Sequence, residues 1–262
     1  MRERRTMNRI TKLAVLAAVL GAGLFAADEA KAPKIKVLLI TGHDVVPAHP
    51  WRETTPYDRA TLEASGRFEV TVCEDSAILE ASSLGRYDVI LLNYGFWTAP
   101  DLSPAAKENL LAYVKNGKGL VPLHFACSAY QDWPEYKNLI GRIWKKGEAG
   151  HGPRSTFANK IVDPDHPITR GLGDFEADDE LYAKLSGDAP IKVLVTADSD
   201  WSKNTEPLVF THTYGRGRVA QNLYGHDVKA RSTSAYKVLL CRCVEWAATG
   251  NATIPANAFD GK

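Results

Sequence analysis

The sequence has 262 residues, 45% of them hydrophobic and 24% charged, with 32 Lys and Arg against 31 Asp and Glu. These proportions belong to a globular chain with a sizeable core, and they exclude collagen-like, coiled-coil and wholly disordered architectures. A formal net charge of +1 leaves no electrostatic footprint for nucleic acid as a partner.

Arg2, Arg4, Arg5, Arg9 and Lys12 precede an apolar run over 13–25, which is followed by Ala26, Ala27 and Asp28. A basic start, a short apolar stretch and a small-residue exit predict a secretory signal over 1–26, whether translation begins at Met1 or Met7. The run falls short of the ~20 residues that cross a bilayer, which disfavours a membrane anchor. Arg4-Arg5 is only a weak twin-arginine signature, because Asn8 and Arg9 follow Met7. Cleavage after Ala26 removes five basic residues and one acidic one, leaving a mature charge of −3. The expected location is periplasmic or extracellular, free of the membrane after cleavage.

Ile35–Thr41 is an almost continuous apolar run, as buried parallel strands are. Thr54-Thr55-Pro56 has the chemistry of a helix start, and the helical spacing over 57–65 stops at Gly66. Further strands are predicted over 68–73, 87–93 and 120–124, with a helix opened by Ser103-Pro104 and ended by Gly117. This rhythm is that of a parallel sheet with crossover helices. From residue 155 the pattern changes. Strands over 155–162 and 191–196 have no helix between them, and Gly215 and Gly217 set a hairpin between 208–213 and 218–223. A closing helix spans 234–249, and 251–262 reads as a loose tail. The predicted architecture is α/β: one doubly wound, mostly parallel sheet over 33–250, with helices on both faces and an antiparallel hairpin extension.

Ligands of open parallel sheets bind beyond the carboxyl ends of the strands. There the chain places His43-Asp44 with His49 and Trp51 close behind, then Asn93-Tyr94 with Trp97, then His124, then His226-Asp227. One histidine at a strand end is commonly structural, but His43, His124 and His226 on one rim predict a site. His124 occupies a strand–turn–helix context in which hydrolases present a nucleophile, so acid–base work or metal ligation suits it. Glu180 and Tyr182, two apart on an expected strand, should share a face. His151 lies on a glycine loop able to close over a pocket. The expected roles are His124 and His226 as base and acid and Glu180 as the group that orients one of them. Trp51, Asn93, Tyr94, Trp97, His151 and Tyr182 are the expected substrate contacts. A divalent metal, zinc or similar, is an added expectation, with His43, His124, His226 and Glu180 as its ligands. The four cysteines, Cys73, Cys127, Cys241 and Cys243, lack finger spacing and read chiefly as small buried hydrophobes, with Cys127 kept as a rival nucleophile.

Taken together, these segments resemble the ThuA-like (trehalose utilisation) family of the class I glutamine amidotransferase-like superfamily. The resemblance rests on His49-Pro-Trp-Arg-Glu-Thr-Thr-Pro56, Gly119–Ser128, Ala149-Gly-His-Gly-Pro153, Asp165-His-Pro-Ile-Thr-Arg-Gly171, Asp179-Glu-Leu-Tyr182, Tyr214–Val219 and Gly225-His-Asp227. It implies a flavodoxin-like α/β sandwich and a small carbohydrate substrate, a 3-keto glycoside. Where amidotransferases carry a nucleophilic cysteine this chain has His124, which speaks against glutaminase chemistry. The expected activity is cleavage or rearrangement of the keto glycoside, with a non-catalytic sugar-binding protein as the alternative.

Overall fold

Apolar runs without alternation need cover on both faces, and three of them form the middle of the sheet. In the computed structural model, which describes residues 33–45, 47–95 and 100–261, these are β1 (Ile35–Ile40), β3 (Val89–Leu92) and β4 (Gly119–Pro122). Val37, Leu38, Leu39 and Ile40 lie in parallel register beside Val89, Ile90, Leu91 and Leu92, all essentially inaccessible. With β2 (Phe68–Cys73) outside β1, and β9 (Gly217–Asn222) beside β4, five parallel strands take the order β2-β1-β3-β4-β9. The expected signal over 1–26, and Trp97, lie outside the described residues. No helix among the described residues is long and apolar enough to cross a membrane.

Two crossovers leave the centre in opposite directions. Helix α1 (Trp51–Ala64) links β1 to β2, whereas α2 (Pro104–Lys115) links β3 to β4. Right-handed connections running opposite ways put α1 and α2 on opposite faces of the sheet. They also create a switch point between β1 and β3, where the chain ends splay and leave a crevice. The last helix, α5 (Ser234–Thr249), packs against β4, β9 and α1, capped at Thr233 and stopped by left-handed Gly250. Two short helices, α3 (Pro134–Ile140) and α4 (Val228–Arg231), follow the loops after β4 and β9.

Beyond β9 the sheet turns antiparallel through β8 (Thr205–Tyr214), β7 (Lys192–Asp198), β5 (Ser155–Ile161) and β6 (Phe175–Asp179). The extension is therefore four strands joined to β9, larger than the single hairpin that the glycines announce.

Two local expectations need correction. Helix α1 begins at Trp51, so Thr54-Thr55-Pro56 lies within it. Its buried face of Trp51, Thr54, Thr55, Asp58, Thr61 and Leu62 decides the start. The threonine hydroxyls cap nothing: they turn inward, where Thr55 meets Thr41 at 2.9 Å. Nor does the segment after Gly250 trail loosely. Glu245 accepts the Thr253 and Ile254 N–H groups, and Ile254 and Phe259 are buried. A buried carboxylate and two apolar anchors outweigh the polar look of the tail.

Candidate metal centre

Three of the parallel strands end in turns that direct an imidazole into one cup. After β1 the chain loops through Asp44 to His49, just before α1. His49 Nδ1 lies 2.9 Å from Asp44 Oδ1, so its Nε2 faces inward. After β4, His124 takes φ +47°, a strained left-handed conformation that turns its ring into the cup. His124 Nδ1 donates to the Leu223 carbonyl at 2.8 Å. A carbonyl can only accept, so the proton is on Nδ1 and Nε2 is the acceptor, into which the Tyr182 hydroxyl donates at 2.8 Å. After β9, Gly225 at φ +120° lets the chain turn so that His226 points back.

Just past β6, Glu180 completes the group. Its Oε2 lies 3.2 Å from His226 Nδ1, 3.5 Å from His49 Nε2 and 3.6 Å from His124 Nε2. The four ligand atoms lie within 4.8 Å of one another. Asp179, 1% exposed, fixes this arrangement from below, because its carboxylate accepts the N–H groups of Gly225, His226 and Glu180 itself. Arg231, buried against Asp58, donates to the Gly225 carbonyl at 2.9 Å and steadies the same turn.

The charges are strongly coupled. Burial works against ionisation of Glu180, yet the surrounding imidazoles hold its carboxyl well below the usual carboxylate range. Burial also disfavours the His49 cation, but Asp44 and Glu180 overcome it and push its pKa up to about 9. His124 is driven the other way, below its ordinary value, chiefly by its complete burial.

These residues fit a divalent cation. Ligands ~2.05 Å from a tetrahedral metal stand about 3.3 Å apart, close to the three Glu180–imidazole separations. His226 Nδ1 is buried and makes no well-aligned hydrogen bond, although Glu180 is 3.2 Å away. Such an orphaned nitrogen is suited to a metal bond. The far nitrogens of His49 and His124 are clamped by a carboxylate and a carbonyl, the outer support that orients metal-binding imidazoles.

Of the residues singled out in the sequence, His124, His226, Glu180, Tyr182 and His151 come together. Glu180 and Tyr182 share a face as their spacing predicts, although they lie just beyond the strand. His151 Nε2 stands 3.5 Å from Glu180 Oε1, and its Nδ1 donates to the Gly152 carbonyl at 2.6 Å. His43 lies outside the four-ligand group, its ring 5.8 Å from that of Tyr94, and His49 holds the first-strand position instead. Asn93 is buried behind the cup, donating to Thr54 and Thr55 and accepting from Arg231. Tyr94 stacks on Tyr130, and Trp51 borders a hollow with Arg59 and Glu74. Cys127 is fully buried with its thiol pushed far up by burial, so it cannot serve as an exposed thiolate. All four cysteines are free thiols.

The comparisons agree with this architecture. The model of the ThuA family, described as trehalose utilisation, matches residues 36–247. The crystal structure of a ThuA-like protein from Parabacteroides merdae is 30% identical, covering 84% of this chain and 92% of its own, with a TM-score of 0.74. One from Bacteroides uniformis is 20% identical, covering 87% and 98%, with a TM-score of 0.69. A β-galactosidase from a Rahnella species shares the fold alone, at 15% identity and a TM-score of 0.56 over 82% of this chain and 32% of its own. No curated protein matches the sequence.

Proposed function

The chain belongs to the ThuA family, and from that premise we propose an exported carbohydrate-active enzyme that cleaves or rearranges a 3-keto glycoside with the help of a divalent cation, zinc or a metal of similar preference. The observation that carries the reading is the convergence of His49, His124, His226 and Glu180 on one point, with the outer nitrogens of His49 and His124 already committed. A cation held there would supply Lewis-acid polarisation of the substrate's keto oxygen.

The protein's own groups handle the protons. A ketone at C3 acidifies the C2–H bond, so one base can take that proton while the C1 substituent departs with the bonding electrons. The products are an enone and, once the leaving oxygen is protonated, a free alcohol. No pair of carboxylates at hydrolase spacing is then needed. His124 is 2% exposed and engaged at both nitrogens, which suits holding and orienting rather than proton transfer to substrate. His151 is the more open ring, its side chain 32% exposed, and its Nδ1–H is committed to Gly152. Its Nε2 is therefore the base of this reading, and the imidazolium so formed can pass the proton on to the departing oxygen. The Leu223 carbonyl fixes the His124 tautomer, Tyr182 donates to its Nε2 when no cation holds that lone pair, and Glu180 would balance the charge of a cation in the cup.

The test is turnover of a panel of 3-keto glucosides by purified protein, with and without chelator and added zinc or manganese. The reading expects release of the aglycone, loss with chelator, and recovery on adding metal. Binding of the keto glucosides with no product under any of these conditions would instead identify a sugar-binding protein.

A further inference from the structure

Trp201 has no part in the cup, yet it is 43% exposed, the one aromatic among the large hydrophobic side chains that the described residues leave in water. A single exposed hydrophobic side chain is ordinary in itself, and here it is the cavity beside the indole that points to a ligand. Its support is rigid. Trp201 stands on the β7–β8 turn, where Ser199 N–H donates to the Asn204 carbonyl and Lys203 N–H to that of Ser199. The Thr205 hydroxyl ties the same turn to Asp198 at 2.5 Å.

The indole borders a cavity of about 390 Å³, a size that small-molecule sites share. Leu181, Phe157 and Pro153 form its apolar wall, and Asp198, Ser199 and Thr156 its polar one. Leu181 lies between Glu180 and Tyr182, whose side chains enter the cup, so extended backbone sends it to the other side of the same segment. Pro153 and Gly152 directly follow His151. Cavity and cup are thus separated by the thickness of one loop and one extended segment. The loop is fitted to the indole: a Cβ on Gly150 would stand 2.5 Å from the Trp201 ring, so only glycine allows this approach.

The chemistry of the walls selects a class of ligand. An aromatic face suits the apolar C–H face of a pyranose, and the adjacent carboxylate and hydroxyls accept from and donate to its equatorial hydroxyls. Asp198 and Asp200 face Lys160 and Lys203, and Lys184 lies over the indole 4.8 Å from its centroid, so the walls carry no large net charge and suit a neutral ligand. We propose that this cavity is a second sugar subsite, on the far side of the cup's wall, in which Trp201 stacks a neutral pyranose ring. The subsite stands apart from the chemistry of the cup, so binding there can be measured without turnover.

The experiment is calorimetric titration of the full chain, kept in chelator, with trehalose and separately with glucose, for the unaltered protein, Trp201→Ala and Trp201→Phe. The expected result is trehalose bound more tightly than glucose, about 2–10-fold weaker trehalose binding in Trp201→Ala, and most of it retained in Trp201→Phe. Unchanged unfolding temperatures show that the variants are folded. Equal trehalose affinity in Trp201→Ala and the unaltered protein overturns the subsite, as does the absence of any trehalose binding. Trp201-dependent binding without turnover of keto glucosides supports the subsite and removes the enzyme reading. Turnover of keto glucosides with trehalose binding indifferent to Trp201 does the reverse.

Discussion

In the parallel half of the sheet, the turns after β1, β4 and β9 bring His49, His124 and His226 into the cup, each held by its own backbone or carboxylate partner. The antiparallel half brings Glu180, Tyr182 and His151 on a segment beyond β6 and a glycine loop before β5. The first set follows strands buried on both faces, on turns anchored to the centre of the sheet. The Gly150–Ala183 backbone bridge ties the two segments of the second set to each other, and the Ile143–Ser186 bridge and Asp179 tie them to the rest. The parallel half thus positions three nitrogens, and the antiparallel half supplies the carboxylate, a buried phenol and the most open imidazole. The division suits a site that must hold one group fixed while admitting another.

Breaking the joint between the halves should have the largest effect. Asp179→Ala leaves the Gly225 and His226 N–H groups without their acceptor in a buried place, at about 1–3 kcal/mol for each. Denaturant unfolding should report a loss of about 2–6 kcal/mol; a loss below 1 kcal/mol would mean that the joint is not structural. Next comes outer support in the parallel half. Asp44→Ala should weaken zinc binding about 10–100-fold in competition titrations, with the fold retained.

The comparison sharpens with pH, because His49 faces a carboxylate from each side of the cup. Its pKa is raised from 6.5 to about 9, so in chelator-treated protein its charge contributes stability that is fully present below pH 6.5 and lost as pH rises through about 9. A cation requires the neutral ring, so zinc affinity should rise with pH across that window, and binding at pH 7 should release about one proton from this ring. Thermal unfolding of chelated protein between pH 6 and pH 10, and calorimetry in buffers of different ionisation enthalpy, check the two signs. The smallest effect lies far from the cup: Thr233→Ala removes the cap of α5 and should cost about 1 kcal/mol in either metal state.

Much of the parallel half was legible because its signals are local. An apolar run followed by Gly or His fixes both a buried strand and the rim at its end, which is how His124 and His226 stand out. The choice between His43 and His49 was not legible, since both lie in the loop between β1 and α1 and no periodicity runs through a loop. The Asp44 carboxylate turns His49 inward through the path of the loop, which no side-chain pattern in the sequence records. Asp178 and Asp179 differ for the same reason. Alternation along β6 sends Asp178 out to Arg154 and Lys229 and Asp179 inward to backbone N–H groups, but the inner face is decided only by which strands lie beside it. The four-strand order of the antiparallel half depends on pairings between distant segments that no local pattern records. Glu180 could be named as a partner of the histidines, yet not placed among them.

The central claim is that four side chains from both halves hold one cation. Elemental mass spectrometry on purified protein, incubated with zinc and dialysed, tests it most directly against Glu180→Gln and His226→Ala. About one zinc per chain in the unaltered protein, falling to a small fraction in both variants, is the result this arrangement predicts. No retained zinc, or the same amount in all three proteins, would contradict it.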